Sequence, residues 1–162
     1  MKKLLAVLLV IGLVGVGIVL SGCTEKLVDQ QASPLVATSQ TPSLGASGVG
    51  AATVLSVTFK YQMQYVGITK DNLITEYLVP GPAHTASTPT ISEIQWTNDY
   101  KTLNVAVSSW VNQASGAVVQ YLPRPITIGW DINDRKIQKS KLVDVFDNGL
   151  DLTTPLWQYT II

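Results

Sequence analysis

The chain has one cysteine and one histidine in 162 residues. A single thiol forms no intramolecular disulfide, so anything that folds here rests on a packed core. One thiol and one imidazole do not supply the three or four ligands of a zinc site. A serine hydrolase would have to take His84 as its base, and no G-x-S-x-G elbow supplies the nucleophile. His84 lies in Pro80-Gly81-Pro82-Ala83-His84-Thr85, which reads as an exposed loop. Charge is scarce too: Asp, Glu, Lys and Arg make up 14% of the chain, in equal numbers of each sign. That balance contains no basic stripe of the kind that tracks a phosphate backbone, so nucleic acid is not an expected partner. Gly48-Val49-Gly50-Ala51-Ala52-Thr53 approaches a dinucleotide fingerprint but lacks its last glycine and its strand–turn–helix setting. No cofactor is expected, and the chain reads as a non-enzyme.

Acid and base are absent from one stretch altogether. After Met1-Lys2-Lys3 the sequence is apolar from Leu4 to Leu20, relieved only by Gly12, Gly15 and Gly17. A positive start, an apolar stretch and then small residues are the order of a secretory signal. As a helix the run would span roughly 25 Å, a little less than a ~30 Å hydrocarbon core. On length alone it is an apolar signal or an anchor helix.

Leu20-Ser21-Gly22-Cys23 closes the run. An aliphatic residue, two small ones and a cysteine resemble the lipobox of prokaryotic lipoproteins, bacterial or archaeal. The resemblance covers residues 1–23. It implies a signal peptide over residues 1–22, a diacylglycerol thioether on Cys23, and cleavage before that residue. It also implies an extracytoplasmic protein held to the cell envelope through lipid. Two acyl chains give the two signals that stable anchoring takes, without a transmembrane helix. Thr24 stands where an Asp would, in that family, hold the protein at the inner membrane. Pilins also begin with a basic start and an apolar helix, but their processing site precedes the run, and no acid occurs here before Glu25.

Residues 23–52 are rich in Ser, Thr, Ala, Gly and Gln and contain no aromatic residue. Such a segment buries too little apolar surface to offset its ordering entropy, and it reads as a flexible tether. The remainder, residues 53–162, reads as one domain. Val57, Phe59, Tyr61, Met63 and Tyr65 alternate with polar residues. Leu103, Val105 and Val107 do the same, and Ile126, Ile128 and Trp130 repeat the pattern. A period of two marks half-buried strands. Turn signals separate them at Pro80-Gly81-Pro82, Thr97-Asn98-Asp99, Asn112 to Gly116 and Pro123-Arg124-Pro125. Asp147-Asn148-Gly149 predicts a type I′ hairpin that pairs Asp147 with Leu150 and puts Val143, Val145, Leu150 and Leu152 on one face. Arg135 to Val145 is the best helical candidate, and the hairpin suits it better. The fold class is therefore all-β, an antiparallel sandwich of immunoglobulin or fibronectin type.

Three residues form the one candidate metal site. Asp131, Asn133 and Asp134 follow a predicted strand, and calcium takes 6–8 oxygen ligands that closely spaced Asp and Asn can begin to supply. The D-x-N-D order resembles the start of the calcium-binding linker of cadherin repeats and departs from it at Arg135. The same residues favour turns through their own backbone hydrogen bonds. Glu76 and Glu93, the domain's only glutamates, sit 17 positions apart and meet only if folding brings them together. Arg135, Lys136, Lys139 and Lys141 cluster in a way that suits a solvated strand edge, or contact with anionic headgroups or polymer. The expected function is a lipid-anchored surface module, structural or ligand-binding, with membrane lipid as one partner and an envelope protein or polymer as another. The alternatives are a small envelope hydrolase assembled only in three dimensions, and a filament or assembly subunit of the envelope.

Overall fold

The structure, a computed structural model, describes residues 35–65, 67–112 and 115–162. They belong to one compact unit, Ser33–Ile162. Cys23, the apolar run and the start of the tether lie outside the described residues.

The described residues fold as an all-β protein. The alternating segments form its centre. Strands β3 (Thr53–Phe59) and β6 (Thr102–Trp110) pair antiparallel, with Leu55 opposite Val105 and Val57 opposite Leu103. Those four side chains and Phe59 are buried on one face. Burying each such side chain stabilises the fold by roughly 1.5–3 kcal/mol. Strand β5 (Pro89–Thr97) pairs with the far side of β6, and β1 (Ala37–Thr41) with the far side of β3, giving the sheet order β1-β3-β6-β5. The second sheet runs β2-β10-β7-β4, from β2 (Ala46–Val49), β10 (Trp157–Ile161), β7 (Val118–Pro123) and β4 (Leu78–Pro80). Here Trp157 stands opposite Tyr121 and Tyr159 opposite Val119. The inner faces of both sheets contribute to one hydrophobic core. A single π-helical turn, Leu73–Tyr77, leads into β4. Among the described residues no helix is long and apolar enough to cross a membrane.

The boundary of the folded unit differs from the sequence reading. Residues 35–52, expected as tether, contain β1 and β2. One edges the first sheet through β3, and the other runs parallel to β10 at the edge of the second. Their stabilisation comes mainly from backbone hydrogen bonds, which side-chain hydrophobicity does not report. Leu35 is their buried side chain: its N–H donates to the Gly149 carbonyl and its carbonyl accepts from the Asp151 amide.

Three local expectations change as well. The first strand stops at Phe59. Beyond it the chain runs between the β5–β6 turn and residues 143–145: Met63 N–H donates to Tyr100, and Gln64 N–H to Val143. Met63 stays buried while Tyr61 and Tyr65 face solvent. Second, Pro123-Arg124-Pro125 is not a turn. β7 passes through Arg124 straight into β8 (Pro125–Trp130), which leaves the second sheet to pair with β9 (Lys136–Ser140). Third, the Asn-Gly hairpin has another register. Val143 faces Gly149, and the positive φ falls on Asp147, at 66°. Asp144, which the expected register would set on the face opposite Val143 and Val145, is 0% exposed, whereas Val145 is exposed. The Asp144 carboxylate accounts for this. It accepts from the amides of Phe146 and Asn148 and from the Asn148 side chain, at 2.8–2.9 Å. A carboxylate that closes a loop on itself outweighs a valine's preference for burial.

Candidate interaction surface

The β8–β9 hairpin stands apart from both four-stranded sheets. β8 and β9 pair only with each other. The alternation of Ile126, Ile128 and Trp130 does mark a strand, but all three side chains are exposed. The register shifts between Thr127 and Gly129, so Ile128 is an extra residue in β8. Ile126 lies opposite Lys139 and therefore shares a face with Ile137, while Trp130 lies opposite Lys136 on the other face. The Lys136 ammonium sits 5.7 Å from the centre of the Trp130 ring. Ile132, at the tip, is 100% exposed, and Trp130 is 57% exposed.

The tip loop is closed by its own acid. Asp131 Oδ1 accepts from the amides of Asn133 and Arg135, each at 2.8 Å, and Oδ2 meets Arg135 Nε at 2.6 Å. The Arg135 amide is the largest cause holding this carboxyl below its usual range, with the guanidinium and the Asn133 amide adding to it. Asp134 takes a φ of 62° in the same turn. Asp131, Asn133 and Asp134 are thus brought together by the turn itself. No group of three or more His, Cys, Asp or Glu side chains suited to a metal ion occurs among the described residues.

The base of the hairpin is fixed on several sides. Arg124 N–H donates to the Tyr77 carbonyl, and Lys141 N–H donates to the Arg124 carbonyl. Lys141 Nζ pairs with Glu76 Oε2 at 3.0 Å and lies over the Tyr77 ring. Lys139 Nζ pairs with the Asp147 carboxylate. Gly149 lies against Ser140 and Lys139 closely enough that a Cβ there would stand 3.1 Å from the Ser140 nitrogen. Because Gly149 also accepts from Leu35, the described chain begins beside the hairpin base.

A second exposed group borders the Asp144 loop. Tyr61 and Phe146 meet edge to face at 5.5 Å, and Tyr65 stacks on Tyr100 at 4.1 Å. Tyr100 is presented by a turn in which Asn98, Asp99 and Tyr100 all have positive φ.

The other candidates lie apart. His84 is half-buried rather than a free loop residue. Its Nδ1 accepts from the Gln120 amide at 3.0 Å, and its ring lies 4.8 Å from that of Tyr121. Burial is the largest influence on the imidazole and lowers its pKa from the ordinary value. Burial also pushes the Tyr121 phenol up to about 12. Gln120 fixes this corner: its side-chain oxygen accepts from Ala83 N–H and its amide nitrogen donates to Gln158. Glu76 pairs with Lys141, whereas Glu93 is exposed on β5 in the other sheet. The two glutamates are not brought together.

The sequence reading missed Ile132, Ile137 and Phe146 as exposed groups. Ile132 had a visible signal, since an isoleucine between Asp131 and Asn133 is out of place in a solvated turn. No protein-family model matches the chain, and no curated protein matches it.

Proposed function

We propose that the protein is a lipid-anchored, non-enzymatic module displayed outside the cytoplasm, where it binds a surface or a partner. In this reading the two four-stranded sheets form a sandwich of immunoglobulin or fibronectin type, and Cys23 carries the lipid. The observation that carries the reading is Leu20-Ser21-Gly22-Cys23 at the end of a basic-then-apolar start. Five exposed apolar side chains on one hairpin, spread over both of its faces and its tip, support a binding role. The unpaired edges of β8 and β9 favour a second reading, an assembly subunit that adds strands from a neighbouring copy.

The test is an intact mass of the full chain expressed in a host that processes lipoproteins. The expected species begins at Cys23 and carries a diacylglycerol group, and Cys23→Ala removes the lipid. A chain that still begins at Met1 with a free thiol overturns the anchoring.

A further inference from the structure

We propose that the β8–β9 hairpin docks onto an anionic lipid surface, with Trp130 and Ile132 entering the headgroup–acyl boundary and the neighbouring Lys136 meeting a lipid phosphate. The inference rests on the lipid-anchored reading above and extends it to a second membrane contact.

Charge and apolar groups are segregated in the way this contact needs. Residues 124–141 hold five Lys and Arg against two Asp, and two of the five, Lys139 and Lys141, pair with Asp147 and Glu76 from outside the stretch. The rest of residues 35–162 holds three Lys and Arg against seven acids. The basic stretch also carries Ile126, Ile128, Trp130, Ile132 and Ile137, all exposed. Indole and guanidinium or ammonium groups side by side suit a membrane interface, where an apolar body and a polar head are both satisfied. An acidic protein surface would complement the cations but would leave a fully exposed isoleucine at the tip unaccounted for.

Reach agrees with charge. The sequence leaves eleven residues between Cys23 and Leu35, a length that spans no more than about 40 Å even when fully extended. Leu35 sits beside the hairpin base through Gly149. The six residues of β8 extend roughly 20 Å at ~3.3 Å each. A lipid on Cys23 therefore keeps the hairpin within reach of the same bilayer. Asp131 is paired with Arg135, Lys139 with Asp147 and Lys141 with Glu76, which leaves Lys136, beside Trp130, as the cation near the tip outside an ion pair among the described residues.

The experiment uses the full chain reconstituted into vesicles of phosphatidylglycerol and phosphatidylcholine with brominated acyl chains, read by tryptophan quenching. Trp110 and Trp157 are buried in the core and Trp96 is half-buried against it on β5, so lipid quenching should come chiefly from Trp130. We expect most of it to disappear in Trp130→Phe. We expect the docking equilibrium to fall roughly fivefold in Lys136→Ser, the effect of one cation near an anionic surface. Ile132→Asp should also undock the hairpin while leaving the thermal midpoint unchanged, since Ile132 packs on nothing. Equal quenching in the parent and Trp130→Phe overturns the proposal, as does equal docking on vesicles of phosphatidylcholine alone. Concentration-dependent self-association that Ile132→Asp abolishes also overturns it, and assigns the hairpin to a second copy. The intact mass reports on Cys23 independently. A chain with an unmodified thiol that still shows Trp130 quenching removes the lipid anchor and keeps the hairpin contact.

Discussion

Asp144 is a buried carboxylate whose three hydrogen bonds all stay inside one five-residue loop. Removing it leaves two backbone amides and the Asn148 side chain without their acceptor. Asp144→Ala should cost about 1–3 kcal/mol, since the donors are part-buried and lose a charged acceptor. In a thermal melt that is on the order of 10 °C. Asp144→Asn should cost less, because its oxygen still accepts from both amides. His84 makes a different residue-scale prediction. Its folded pKa is lowered, chiefly by burial, so the unfolded chain binds the proton first as pH falls below the ordinary 6.5. The stabilisation is full above that value and is lost as pH drops through it toward the folded pKa. Melts between pH 7.5 and 5.5 should show the midpoint falling, with a shallower slope in His84→Gln. A midpoint that rises on acidification would mean the imidazole gains a partner when charged. Neither role was legible beforehand. His84 stands among Pro and Gly like an exposed residue, and Asn148-Gly149 carried a turn signal strong enough to hide the acid that actually closes the loop.

Strand centres were legible where one face is buried. Leu103, Val105 and Val107 alternate in sequence and are all buried in β6. The same alternation in β8 marked a strand correctly and its environment wrongly, because a period of two reports a two-faced ribbon and not what covers either face. β1 and β2 were invisible for the opposite reason: they complete sheet edges mainly through backbone pairing, with small and polar side chains. Gly149 shows how a correct residue can carry the wrong reason. Glycine was expected there for positive φ, yet the need is close approach to β9. Gly149→Ala should therefore cost about 1–3 kcal/mol by overpacking against Ser140. It should also loosen the Lys139–Asp147 contact, read as faster amide exchange in β9. Unchanged stability would show that the two segments separate without penalty.

For the molecule as a whole, the all-β class and the single core followed from strand patterning with turns between. The limits of the folded unit did not. If β1 and β2 belong to the fold, a shortened chain beginning at Thr53 loses the partners of one edge of β3 and one edge of β10, together with Leu35 from the core. Such a chain should aggregate or melt well below the full-length protein, by tens of degrees if Leu35 alone contributes the ~2–5 kcal/mol usual for a buried leucine and the strands add to it. A shortened chain that melts with the full-length protein would return residues 35–52 to the tether. The candidate surface was half legible. The lysine cluster and the apolar alternation were both visible, but their convergence on one projecting hairpin depends on β7 running through Arg124 without turning.

That uninterrupted passage has a mechanical consequence. A flap on a hinge would absorb a load at its tip, whereas this hairpin is a cantilever clamped at its root. Proline fixes φ on either side of Arg124, and the Tyr77 and Lys141 backbone contacts hold the joint from both flanks. A pull on Trp130 therefore travels along β7 and loads its pairing with β10 in shear, several hydrogen bonds at once, instead of unzipping them singly. Tilting the hairpin must tilt the body with it, so whatever grips the tip also sets the attitude of the whole domain.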